Sequence, residues 1–213
     1  MEADWSVTLA ADDPMIIVPW AAPAEDAHRC QFLDLRRDPA LIDEIEEARS
    51  HPLLRAALML LNAPWSPLWT AKCDVWRSSV NEGAEPYDPY EMGADPGDTA
   101  FGSGSYVDLF LRDGRLFMSF ERQERWIRSM TEKLRGIAVR ASRTEFVLRR
   151  AEVDGTPGFG VTWFVEGCGA TAQRAAEAWA AAFDCALGVI LDGGLMEPGT
   201  PVDVDGTMSK AGE

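Results

Sequence analysis

Two runs of β-forming residues, Glu145 to Val153 and Phe159 to Glu166, are joined across Asp154, Gly155, Thr156, Pro157 and Gly158. Turn-forming residues between period-two runs specify a β-hairpin, and a hairpin must bury one face against another element. The covering element follows at once. Thr171 caps a predicted helix that runs to about Leu191, in which Trp179, Phe183, Ala186 and Ile190 recur at helical spacing among alanines that permit close packing on a sheet.

Upstream, Tyr106 to Arg112 alternates as a strand and Asp113 with Gly114 supplies a turn. Leu116 to Met118 reads as a brief return, and Ser119 begins a helix that ends before Gly136. Strand, helix, strand, strand, helix over residues 105–191 is the order of a ferredoxin-like unit lacking its last strand. An earlier strand, Trp69 to Trp76, is available to complete the sheet, since it alternates Trp69, Ala71, Cys73 and Val75 with Thr70, Lys72, Asp74 and Trp76. The expected fold class is α+β: a two-layer antiparallel sheet with helices on one face, ferredoxin-like in its C-terminal half, plus an N-terminal helical pair.

That helical pair is read from Asp38 before Pro39, a start signal for a helix to about Arg49, and from Ser50, His51 and Pro52, which open a second, almost wholly apolar helix over Leu53 to Leu61. Met15 to Val18, bounded by Pro14 and Pro19, reads as a short edge strand, and Cys30 to Leu35 as another. Residues 79–104 hold six acids and no Lys or Arg, and read as a long acidic loop. The expected organisation is one α+β domain over residues 1–191 and a flexible Gly-, Pro- and Asp-rich tail over 192–213.

Composition limits the function classes. No stretch approaches the roughly 20 apolar residues that span a bilayer, and the acidic start lacks the charge pattern of a secretory signal. The expectation is a cytoplasmic protein with no membrane partner. The four cysteines, Cys30, Cys73, Cys168 and Cys185, form no CxxC pair, and only His28 and His51 accompany them, so no metal site and no cofactor are expected.

Charge is segregated. Residues 112–150 carry eleven of the chain's 20 Lys and Arg but five of its 35 Asp and Glu, within a protein of net charge -15. Ten of the eleven are arginine, whose planar fork suits carboxylates and phosphates. The strand arginines Arg112, Arg149 and Arg150 are the candidate ligand-binding residues; alternation sends Arg149 and Arg150 to opposite sheet faces. The stretch equally fits coverage by the protein's own acids. Nucleic acid is disfavoured as a partner, because phosphate attraction opposes the net charge and no recognition motif accompanies the arginines.

Cys168, between Gly167 and Gly169 at an expected strand-to-helix junction, is the candidate catalytic thiol, although no histidine motif links a base to it. Asp74 and Asp108 lie on predicted strands, where two carboxylates can act as an acid and base pair or merely decorate a sheet face. The preferred reading is a non-enzymatic binding or regulatory module for a protein or a small anionic ligand, with the acidic loop modulating the arginines. The alternatives are a small enzyme with an Arg-lined anionic-substrate site and Cys168 or an aspartate as catalytic group, and a structural subunit of a larger assembly.

Overall fold

The computed structural model describes residues 1–21 and 31–192. His28, Cys30, the first residue of the expected Cys30 to Leu35 strand, and all but the first residue of the expected tail lie outside the described residues.

A six-stranded sheet forms the frame, its strands ordered β1-β5-β6-β4-β3 with the short β2 also against β5. The strands are β1 (Glu2–Thr8), β2 (Ile16–Val18), β3 (Leu68–Ser79), β4 (Phe101–Leu111), β5 (Ser142–Val153) and β6 (Thr156–Gly169). The helices are α1 (Glu46–Ser50), α2 (Pro52–Asn62), α3 (Gly114–Phe117), α4 (Phe120–Arg135) and α5 (Ala172–Asp192). The protein is therefore mixed α+β, and the β5-β6 hairpin is turned by Asp154 and Gly155, both at positive φ.

Period-two alternation assigns the two sheet faces. Val107, Leu109, Leu111, Phe146, Leu148, Val161, Trp163 and Val165 face the helices and pack with Leu54, Leu58, Trp126, Ile127, Met130, Leu134, Trp179 and Phe183 in the main core. Trp163 stacks on Phe183 with ring centroids 4.7 Å apart. Among the described residues the opposite face carries no helix longer than the one-turn α3, whose Phe117 joins Val18, Trp69, Phe110 and Ala151 in a smaller cluster at one end.

Several expectations are corrected. The sheet is not wholly antiparallel: β1 and β2 both run parallel to β5, at a sequence distance where no tight turn dictates direction. β1 went unpredicted, although Ala3, Trp5 and Val7 alternate with polar residues. Residues 31–35 form no strand; Asp34 Oδ1 accepts from the Arg36 backbone N–H and guanidinium, which fixes a turn there. The expected return strand at Leu116 is the one-turn helix α3, because the Asp113 side chain caps the Arg115 and Leu116 N–H groups. The helix expected from Pro39 to Arg49 is broken: a 3-10 segment over Pro39–Glu44 is separated from α1 by Ile45, which is extended.

The 79–104 loop is shorter than expected, since β3 extends to Ser79 and β4 begins at Phe101. The residues between are tied down: Met92 is buried, and the Met92 and Gly93 carbonyls accept from Ser142 and Ala141 N–H.

Candidate site on the helix-free sheet face

The arginines of residues 112–150 are dispersed by the fold. The connection between β3 and β4 supplies Asp95 to Arg140 and Glu91 to Arg143, each at 3.3 Å, while Arg143 also reaches Glu166 on β6 at 3.1 Å. Arg128 pairs with Glu124 along α4, and Arg135 with Asp4 on β1. Arg112 donates to the Asn62 and Ala63 carbonyls, where it satisfies the C-terminal end of α2, and to the Leu68 carbonyl at the start of β3. Arg150 donates through Nη2 to the Ala10 and Ala11 carbonyls in the β1-β2 connection.

The Nε atoms of Arg149 and Arg150 are both buried without a partner, but Arg149, which turns to the opposite, helix-free sheet face, makes no hydrogen bond or ion pair through any atom of its guanidinium among the described residues. It lines a cavity of about 290 Å³ that is open at the sheet surface between β2 and the middle of β4 and β6. Asp108, Tyr106, Thr162 and Phe164 contribute to the same cavity from β4 and β6, as do Lys72 from β3 and Trp20 from the segment after β2. Pro14, Met15, Ile16 and Ile17 complete it, with Met15 41% and Ile17 50% exposed.

Strand register builds this group. Asp108 stands opposite Thr162 and Tyr106 opposite Phe164 across the β4-β6 ladder, with the rings of the second pair 5.8 Å apart. Arg149 stands opposite Gly160 on β6, where there is no side chain to crowd it. The register of β3 against β4 shifts between Thr70 and Cys73, and Lys72 lies within that irregularity. Trp20 is anchored by its indole N–H, which donates to the Ala71 carbonyl at 3.0 Å, and the Lys72 ammonium sits 5.6 Å from its ring centroid.

Asp108 is 6% exposed and accepts a 2.7 Å hydrogen bond from the Thr162 hydroxyl. Burial pushes its carboxyl up to about 6, against the opposing effects of the Thr162 hydrogen bond and the Arg149 and Lys72 charges. The Tyr106 phenol is held above its ordinary range, by burial first and then by the Asp108 and Asp74 charges, so it remains a neutral hydroxyl. Two cations, one carboxylate, a phenol and aromatic surface thus converge on one opening. Convergent polar groups in an apolar cleft are the usual make-up of a small-molecule site.

The remaining candidates lie elsewhere. Cys168 is the penultimate residue of β6, just before the turn into α5, opposite Gly102, and is 1% exposed. Gly167 and Gly169 do not turn the chain; a Cβ at Gly167 would collide with the backbone of α5 at Trp179 and Ala175, so these glycines let helix and strand touch. Burial, and then the Asp98 and Glu166 charges, pushes the Cys168 thiol up to about 11, away from the thiolate form that nucleophilic chemistry uses. Asp74, opposite Tyr106, is exposed and outside the cavity lining. No group of three or more His, Cys, Asp and Glu able to hold a metal ion occurs among the described residues, and no helix there is long and apolar enough to cross a membrane.

Of the cavity residues, the sequence singled out Arg149 and Asp108; Trp20, Lys72, Tyr106, Thr162 and Phe164 were not identified as site residues. One signal was present: an aspartate within Tyr106 to Leu111, an otherwise apolar strand, where a buried polar group is more informative than any exposed apolar one. Set against protein-family models, curated proteins and solved structures, the chain matches none of them.

Proposed function

We propose that this protein is a non-enzymatic binding or regulatory module whose ligand is a small organic anion, held in the cavity on the helix-free sheet face with Arg149 as its principal charge partner. The observation that carries the reading is the state of Arg149, a half-buried guanidinium with no partner among the described residues on the wall of an open cavity. Asp108 in the same lining offsets part of its charge, but guanidinium donors withdrawn from water without a hydrogen-bond acceptor are costly, and an anionic ligand removes that cost. Asp95, Glu91 and Asp98 ion-pair with Arg140, Arg143 and Arg174, so the acidic connection neutralises competing surface cations. Among the sequence candidates, Arg112 and Arg150 are committed to backbone carbonyls, which leaves Arg149 as the ligand-binding residue of the three.

The test is calorimetric titration of benzoate into the wild type, Arg149→Ala and Arg112→Ala. Binding that weakens by about tenfold or more in Arg149→Ala, as loss of a charge-assisted hydrogen bond implies, and is unchanged in Arg112→Ala supports the reading. Equal affinity in all three proteins overturns it.

A small enzyme is the second reading, and the buried Asp108 carboxyl favours it, because a carboxyl raised to about 6 can exchange a proton near neutrality. In that case Asp108 and not Cys168 is the catalytic group. We also read the order β5-β6-β4-β3 as ferredoxin-like, with β3 in the place of the last strand. We further read nucleic acid as a disfavoured partner, because the net charge of -15 opposes phosphate attraction.

A further inference from the structure

The cavity's three charges and its walls restrict which anion fits, and this step rests on the anion-binding reading above. Arg149 and Lys72 face one carboxylate, Asp108, so the lining carries a surplus of one positive charge. A monoanion balances it, whereas a dianion such as phosphate would place excess negative charge beside Asp108. The walls are otherwise apolar and aromatic: Trp20 on one side, the Tyr106 and Phe164 rings on another, and Met15, Ile16 and Ile17 at the mouth. At about 290 Å³ the space lies at the lower end of small-molecule sites, roughly 300 to 1,000 Å³, which suits one ring with short substituents.

Asp108 adds a third requirement. Its Oδ1 accepts from Thr162, while Oδ2 accepts no hydrogen bond among the described residues. An ionised carboxylate only accepts, so this oxygen calls for a donor on the ligand. We infer that the ligand is a one-ring aromatic monocarboxylic acid bearing a hydroxyl: its carboxylate on Arg149 and Lys72, its ring against Trp20 and the Tyr106 and Phe164 pair, and its hydroxyl donating to Asp108. The hydroxyl separates such a ligand from an unsubstituted ring acid, because a site built to receive a donor discriminates strongly against the analogue that lacks it.

Calorimetry near neutral pH, with acetate, benzoate, meta-hydroxybenzoate and para-hydroxybenzoate as probes, tests this first on the wild-type protein. The expected order is one of the hydroxybenzoates tighter than benzoate by about tenfold, and benzoate tighter than acetate. Asp108→Asn, which keeps the side-chain shape, should bring benzoate and the preferred hydroxybenzoate to within about twofold of each other while benzoate still binds. Hydroxybenzoates no tighter than benzoate, or acetate as tight as benzoate, overturn the inference; if Arg149→Ala still abolishes benzoate binding in that case, the anion-binding reading survives alone. No binding of any of the four acids removes both.

Discussion

Asp108 on β4 and Thr162 on β6 stand directly opposite one another, and the Thr162 hydroxyl donates to Asp108 Oδ1 at 2.7 Å. This pair places a carboxylate on a mostly buried sheet face with one oxygen satisfied and the other available. Its titration, its cationic neighbours and its strand framework lead to separate measurements.

The Asp108 carboxyl, raised from its ordinary value to about 6 by burial, makes stability depend on pH in a definite direction. Between about pH 4 and pH 6 the folded protein binds more protons at this site than the unfolded chain, so its contribution to stability is greatest below the unfolded value of ~3.9 and is lost as pH rises through about 6. Asp108→Asn removes that dependence. Urea unfolding of both proteins across this window should show Asp108→Asn gaining about 2 to 3 kcal/mol relative to wild type from the acid to the neutral end.

Arg112 and Arg149 should separate stability from binding. Arg112→Ala deletes hydrogen bonds to the Asn62 and Ala63 carbonyls at the end of α2 and to the Leu68 carbonyl at the start of β3, and should lower unfolding free energy by about 1 to 2 kcal/mol with ligand affinity intact. Arg149→Ala removes a group that makes no hydrogen bond among the described residues. It should change stability by less than about 1 kcal/mol and move the Asp108 carboxyl further up, as a carbon-detected NMR titration would show.

The contact between β6 and α5 depends on Gly167. A methyl group there meets the backbone of Trp179 and Ala175, which cannot rotate aside as a side-chain tip can. Gly167→Ala should therefore cost about 3 kcal/mol, the upper part of the usual overpacking range, visible as a lowered thermal midpoint.

Thiol chemistry gives a further check. Cys168 and Cys73 are both shifted toward the protonated form, to about 11 and about 12, chiefly by burial. Iodoacetamide labelling followed by peptide mapping should leave both unmodified in the native protein and modify both in urea. Rapid native labelling of Cys168 would restore it as a reactive centre.

The fold was legible where local period decides structure. The β5-β6 hairpin, α4 and α5 follow from turn residues, caps and apolar spacing, and their ends were placed within a few residues. Pairings across long sequence separations were not legible: Trp5 opposite Phe146 in a parallel register, or Lys72 beside Trp20, leave no local trace. The same holds for the site. Alternation sends Arg149 and Arg150 to opposite faces, but their different fates depend on which carbonyls lie near, and those belong to Ala10 and Ala11. The basic stretch that dominates the charge pattern became separate ion pairs, carbonyl-bound guanidiniums and solvated surface arginines, and Arg149 is the half-buried guanidinium among the described residues that makes neither a hydrogen bond nor an ion pair.

Whether Arg149 receives an anion in this cavity is read from heteronuclear NMR of the Arg149 Nε and Trp20 indole resonances during a benzoate titration. Saturable shifts are expected at both nitrogens, with the Trp20 shift lost in Arg149→Ala. Shifts confined to residues outside the cavity, or a Trp20 response undiminished in Arg149→Ala, would contradict anion binding at Arg149.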